Sequence, residues 1–170
     1  FGDGATQIAA GIAGGANGGL FVVGAFDGTL SMGGGKTKTS SGGLDAFVAK
    51  LDANVSPQWL AAFGGGGLAA DQRATAVAAG SHLAVVGDFA HAVDPGVVEP
   101  LHSAGDTDAF LLILDPASGA VLGAASFGGP GADHAAAVAL DASGAAIVAG
   151  VLGAPASFGC ATLGGSAQSA

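Results

Sequence analysis

The sequence has few of several residue types, and their scarcity limits what the protein can do. Its 170 residues include four Lys and Arg together, one cysteine, one tryptophan and no tyrosine. Four basic side chains cannot neutralise a phosphate backbone, so we expect no nucleic-acid partner. The single cysteine, Cys160, allows no internal disulfide and no zinc site built from cysteines.

Long apolar runs are also missing. Residues 4–26 and 142–170 are uncharged, but Gln7 and Asn17 interrupt the first and Pro155 and Gln168 the second, together with many glycines. A bilayer-spanning helix needs about 20 strongly apolar positions, so we expect no membrane span. No signal peptide is visible at the start of the sequence, and we interpret the chain as a piece of a longer protein.

The composition is dominated by small residues and is acidic. Half of the residues are apolar, 33 are glycine, and the formal net charge is −9 although only 10% of residues are charged. Packing must therefore depend on close approach of the backbone. An acidic, lysine-poor surface suits a soluble extracellular protein, or one that tolerates cations nearby.

The chain repeats itself with a period of about 63 residues. The motif D-A-F-[VL]-x-x-L-D occurs at 45–52 and 108–115, so that Asp108 follows Asp45 by 63 residues. Two further landmarks keep nearly the same period: a Phe-Gly pair beginning at Phe1, Phe63 and Phe127, and a Val-rich run ending in Gly24, Gly87 and Gly150. Self-similarity of this length is typical of repeat architectures.

Each unit is predicted to contain four short strands. In the second unit they fall at about 74–79, 82–89, 109–114 and 121–127, and residues 115–119 and 141–144 have the composition of tight turns. The alanine-rich segments 68–79 and 132–140 would also fit helices. We favour strands, because the matching segment of the first unit contains Gly11 and Gly14 and each segment leads through a turn into a Val-rich run.

The predicted fold class is therefore all-β, with tandem four-stranded antiparallel units. We divide the chain into unit 1 (1–62), unit 2 (63–126) and an incomplete unit 3 (127–170), or about 2.7 blades of a β-propeller. Propellers close with about four to eight blades, so we expect an open fragment that needs neighbouring repeats.

Several motifs in this order resemble a known family. They are F-G-G with a following Asp (Asp71 and Asp133), the hairpin at 137–150, and G-x-D-A-F-V-A-K-L-D at 43–52. Together they are similar to the bacterial β-propeller repeat often called the SBBP repeat. The first unit departs from it by having no Asp at the position of Asp71. The resemblance implies a module of secreted or surface bacterial proteins, with no established catalytic residues to carry over.

Candidate metal ligands are sparse. Asp106 and Asp108 flank Thr107 and are the calcium candidates, since calcium takes oxygen ligands, but the complete D-x-[DN]-x-[DN]-G loop is missing. The alternative is that the recurring aspartates form turns. Four histidines have no H-x-x-x-H spacing: His82, His91, His102 and His134.

Catalytic motifs are equally weak. No serine lies in G-x-S-x-G, and Ser103, beside His102, has neighbours of the right type but not the usual spacing of a triad. Glu99 is the only glutamate and lies in a loop-like segment. Trp59 is expected to pack in the core or between units, and the alternative is a platform for a sugar. The sequence therefore identifies no catalytic residue and no cofactor-binding residue.

The leading hypothesis is a non-catalytic scaffold, adhesion or ligand-binding module of an extracellular bacterial protein. Its partners would be a protein or carbohydrate ligand and neighbouring repeats. One alternative is a polysaccharide hydrolase or lyase with its site at a propeller channel, which a converging group of Asp, His and Arg73 would favour. A second is a calcium-stabilised structural domain.

Overall fold

The computed structural model describes residues 2–65, 70–97, 99–157 and 162–163. Apart from a 3-10 turn at Ala16–Gly18, the regular structure in this part of the chain is β. The strands are β1 (Gln7–Gly14), β2 (Leu20–Phe26), β3 (Thr29–Gly33), β4 (Lys36–Thr39), β5 (Asp45–Leu51), β6 (Pro57–Phe63), β7 (Gln72–Ala79), β8 (Leu83–Phe89), β9 (Ala92–Val93), β10 (Leu101–His102), β11 (Asp108–Leu114), β12 (Val121–Phe127), β13 (His134–Leu140), β14 (Ala146–Val151), β15 (Ala156–Ser157) and β16 (Thr162–Leu163).

The all-β prediction is confirmed. Two antiparallel four-stranded sheets form in the orders β1-β2-β5-β6 and β7-β8-β11-β12, and β13 pairs with β14. The four strands predicted for the second unit occur within two residues of the predicted bounds. The helical alternative is wrong for β7 and β13. In the described part of the chain, no helix is long and apolar enough to cross a bilayer.

Two small hairpins were not predicted. β3 pairs with β4, and β9 pairs with β10. Each hairpin lies in the connection between the second and third strands of its sheet. These strands are short, so their apolar residues do not form a clear alternating pattern.

The repeated glycines of the Val-rich runs are required by a β-bulge. The first strand of each unit carries a bulge at the same place, after Ala9, Ala74 and Ala135. A Cβ atom at Gly24 would collide with the carbonyl oxygen of Ile8, and one at Gly87 with that of Arg73. The ring of the phenylalanine in the D-A-F motif also covers this glycine. A Cβ atom at Gly24 would lie 2.9 Å from the ring of Phe47, and one at Gly87 would lie 2.7 Å from the ring of Phe110.

The D-A-F and Phe-Gly landmarks are two parts of one contact. Asp45 and Asp108 begin β5 and β11, and both are buried. A Cβ atom at Gly64 or Gly128 would collide with the carboxyl group of the aspartate in the same sheet. Glycine therefore follows the last strand because the buried carboxyl group occupies the space of a side chain.

The two sheets pack face to face through the main hydrophobic core, which we call the first interface. The first sheet contributes Phe21, Val23, Ala46, Val48 and Phe63, and the second contributes Ala74, Leu83, Val85, Phe89, Phe110, Leu112 and Leu114. Val93, from the β9–β10 hairpin, completes this core. The opposite face of the second sheet packs against β13 through Val86, Ala109 and Ala135, with Leu111, Phe127 and Val138 beside them. We call this smaller contact the second interface.

The same backbone hydrogen bond joins each unit to the next. Gln72 N donates to Leu44 O, and Asp133 N donates to Thr107 O, both at 2.7 Å. Since Leu44 and Thr107 hold equivalent positions, Gln72 is the counterpart of Asp133. The sequence comparison paired Asp71 with Asp133, and this pairing is wrong by one residue.

The connections differ sharply between the two ends of the sheets. At one end, the turn end, adjacent strands are joined by tight turns in which Asp52, Asp115 and Asp141 accept backbone N–H groups two to four residues ahead. At the other end, the loop end, lie residues 27–44, 90–107 and the links between units. The predicted turns at 115–119 and 141–144 are confirmed, with Gly119 and Gly144 at φ 74° and 89°.

Candidate functional site

Four polar side chains converge at the loop end, between the second sheet and β13. Arg73 and Asp88 are paired across β7 and β8. The Arg73 guanidinium group forms an ion pair with Asp71, and Nδ1 of His134 lies 3.6 Å from Oδ1 of Asp88. We call these four residues the loop-end cluster.

The backbone positions each member of the loop-end cluster. Asp71 precedes β7 and its Oδ1 accepts the N–H of Leu44, which ties it to the first sheet. The bulge in β7 follows directly after Arg73 and Ala74. His134 is the first residue of β13, and Thr75 Oγ1 donates to the carbonyl oxygen of Ala135 at 2.6 Å, which holds β13 against β7.

Exposure and charge differ within the loop-end cluster. The side chains of Asp71, Arg73 and His134 are between 41% and 48% exposed, whereas that of Asp88 is 11% exposed. Burial raises the pKa of Asp88, and the positive charges of His134 and Arg73 oppose that rise in part. A buried carboxyl group with a raised pKa beside an imidazole can exchange a proton, and the exposed partners can bind polar groups of a ligand.

An apolar cavity of about 550 Å³ adjoins the loop-end cluster. His134 lines both. The remaining walls come from the second sheet, with Ala109, Leu111 and Phe127, and from β14 with the residue that follows it, Leu152.

A second, shallower cavity of about 480 Å³ lies among the loops 90–107 at the same end of the sheets. His91, His102 and Ser103 line it. Ser103 Oγ accepts the N–H of His91 and donates to Gly105 O, so this hydroxyl bonds to backbone groups and to no imidazole. Among the described residues, this serine therefore has no hydrogen-bonded base.

The two calcium candidates differ in burial. Asp108 is buried and its Oδ2 accepts the N–H of Ala104 at 3.1 Å, while Asp106 is exposed in the preceding turn. Among the described residues, no group of three or more His, Cys, Asp or Glu is placed to hold a metal ion. Calcium binding stays a prediction, and comparing thermal melting before and after dialysis against a chelator would test it.

Trp59 packs between units, as the sequence analysis expected. Its ring lies 6.0 Å from that of Phe21 and against Gly119, and its Nε1 donates to Pro116 O at 3.4 Å. Lys50 Nζ donates to the same carbonyl oxygen at 2.9 Å. Glu99 is exposed, and Cys160 lies outside the described residues.

The sequence singled out Arg73, with Asp and His as its partners, and His134 was among the candidate histidines, but nothing in the sequence indicated that Asp88 and His134 join Arg73 in one site. The three residues belong to different strands and are separated by up to 61 positions. The available signal was a departure from the repeat, because Asp88 stands where the first unit has Ala25. A charged residue at a buried repeat position indicates a function beyond packing.

The comparisons with known proteins leave the chain without an assigned family. No protein-family model matches it, and no curated protein matches its sequence.

Proposed function

We propose that the protein is a non-catalytic β-propeller module of a secreted or cell-surface bacterial protein, and that it binds a ligand at its loop end. One observation carries the proposal: the sheets stack face to face with their first strands adjacent, β1 beside β7 and β7 beside β13. Blades arranged around a channel pack in this way. The resemblance to the SBBP repeat supports the same architecture.

Electron microscopy of the intact secreted protein tests the architecture. The proposal expects sheets arranged radially around a central channel. A straight stack of sheets without a channel would contradict it.

The loop-end cluster supports the ligand-binding part of the proposal. Arg73 and His134 offer N–H groups, Asp71 offers a carboxylate, and all three are accessible. This mixture of donors and acceptors on rigid strands suits a carbohydrate or a polar protein segment. Loops on one face of a repeat scaffold are its usual binding surface.

Binding can be tested by NMR titration with a panel of neutral and acidic oligosaccharides. We expect shifts centred on residues 71–73, 88 and 134, and loss of those shifts in Arg73→Ala. Lys38→Ala, on β4, is the matched control and should leave the titration unchanged. Shifts that persist in Arg73→Ala would place the ligand elsewhere.

An enzyme acting on polysaccharide is the second candidate function. The convergence of Arg73 with two Asp and one His in the loop-end cluster favours it, as does the raised pKa of Asp88. A carboxyl group that keeps its proton to higher pH can serve as a general acid. Release of new chain ends from polysaccharide by the wild type, and its loss in Asp88→Asn, would support the enzyme over the binding module. Binding without turnover would support the module.

A further inference from the structure

We propose that the edge of β14 facing away from β13, which is unpaired among the described residues, and the adjoining 550 Å³ cavity bind an extended strand of the D-A-F type from a further repeat unit. The phenylalanine of that strand would lie over Gly150. The cavity adjoins the loop-end cluster and shares His134 with it, but this inference does not depend on the ligand proposed there.

The edge of β14 is the first observation. Its counterparts β2 and β8 are each paired on both sides, with β5 and β11 as their second partners. Within the described residues, β14 pairs with β13 alone. Val148 is 38% exposed, whereas its counterpart Val85 is fully buried. An unpaired, apolar strand edge is a template for strand addition.

The surroundings of Gly150 are the second observation. In the first and second sheets, the D-A-F phenylalanine lies over the equivalent glycine, Gly24 or Gly87. The nearest atoms to a Cβ built at Gly150 belong to the backbone of His134 and Ala135, and no aromatic ring is among them. Position 150 thus keeps the glycine that lies beneath a phenylalanine ring in the other two sheets, while no ring of the described residues is among its three nearest neighbours.

The walls of the cavity are the third observation. Ala109, Leu111 and Phe127 line it, and they are the counterparts of Ala46, Val48 and Phe63 in the first sheet. In the first interface those three counterparts pack in one core with the side chains of β11: Phe110, Leu112 and Leu114. The cavity therefore lies where the third strand of another unit would place its apolar side chains.

These equivalent positions define which strand would bind to β14 and how its residues would pair with those of β14. The strand would run antiparallel to β14 with its Phe opposite Gly150 and the preceding Ala opposite Val151, as Phe110 and Ala109 lie opposite Gly87 and Asp88. A folded second copy does not offer such a strand, because β5 and β11 are each paired on both sides. The occupant is an unpaired D-A-F strand.

A peptide of residues 43–63 provides the test, since it contains one D-A-F strand and the strand that follows it. The labelled peptide is titrated with the 170-residue chain by fluorescence anisotropy, and hydrogen exchange of the β14 amides is measured with and without it. We expect saturable binding and slower exchange along β14. Phe47→Ala in the peptide should weaken binding about tenfold or more, because the ring is the main buried group.

Two variants of the chain form a matched pair on one strand. Val148→Lys puts a charge on the cavity wall and should weaken peptide binding about tenfold or more. Ile147→Lys, the neighbouring exposed residue outside the cavity, should change it less than about twofold. The proposal is overturned if the peptide does not bind, if both variants bind it equally, or if the Phe47→Ala peptide binds as well as the original. Self-association of the chain through β14 that the peptide cannot displace would also overturn it.

Discussion

Asp45 and Asp108 occupy equivalent positions in the two sheets, but only the Asp45 carboxylate is bonded at both oxygens. Ser41 donates to Asp45 through its N–H and its hydroxyl group. Ala104 stands at the position of Ser41 and offers only its N–H, so Oδ1 of Asp108 is buried without a hydrogen-bond partner among the described residues. Burial raises the pKa of both carboxyl groups.

Ala104→Ser should therefore supply the missing hydrogen bond. We expect a gain of about 1 kcal/mol in the free energy of unfolding at neutral pH and a lower pKa of Asp108, measured by chemical denaturation and by carbon NMR of the carboxyl group. Ser41→Ala is the reciprocal change and should cost a similar amount while raising the pKa of Asp45. An Asp108 pKa that does not move in Ala104→Ser would contradict the assignment.

Gly87→Ala should destabilise the second sheet by about 3 kcal/mol or more. The added Cβ would meet the carbonyl oxygen of Arg73 and the ring of Phe110, neither of which can move without breaking the sheet. Thermal melting measures the effect. Gly123→Ala is the control, because a Cβ there meets nothing within 4 Å, and it should be neutral or slightly stabilising.

Val55→Gly should stabilise the protein by about 0.5–1 kcal/mol. Val55 has φ 63°, a conformation that is strained for a β-branched residue, and it is 55% exposed, so the substitution loses little packing. Gly144 has the equivalent position in the turn after Asp141, at φ 89°. Ala53→Gly in the same turn lacks this strain and should be destabilising in the same denaturation experiment. Equal effects of the two substitutions would count against strain at Val55.

Asp88→Ala should stabilise the chain near neutral pH by an amount on the order of 1 kcal/mol while abolishing ligand binding at the loop-end cluster. The pKa of Asp88 in the folded state lies above its usual value of 3.8. The folded state therefore loses stability as pH rises from 3.8 through the raised pKa, because Asp88 ionises at a higher pH in the folded state than in the unfolded state. The Asp88→Ala variant does not lose stability in this way, because it has no carboxyl group to ionise. Its advantage over the wild type should be small below pH 3.8 and should grow as pH rises.

Denaturation curves at several pH values measure that difference. The residual pH dependence of the variant reports the other shifted carboxyl groups. The pKa values of Asp45 and Asp108 are raised by burial, and hydrogen bonds lower those of Asp3, Asp115 and Asp141. If the difference in the free energy of unfolding between variant and wild type is the same at every pH, Asp88 affects stability through its shape and not through its charge.

The sequence by itself determined the period, the class of secondary structure and the strands of the second unit, because these depend on local patterns of apolar and turn-forming residues. The sequence also marked the positions where the backbone is too close to its neighbours to leave room for a side chain. The glycines at 24, 87 and 150, and the glycines that follow the last strands, recur at these positions.

Only the tertiary structure decided which residues are equivalent and which meet. The links between units differ in length, so the counterpart of Asp133 is Gln72 and not Asp71. Arg73, Asp88 and His134 belong to different strands, and they converge because bulged first strands of successive units pack side by side. Such contacts depend on the register and stacking of whole sheets, which no local stretch of sequence encodes.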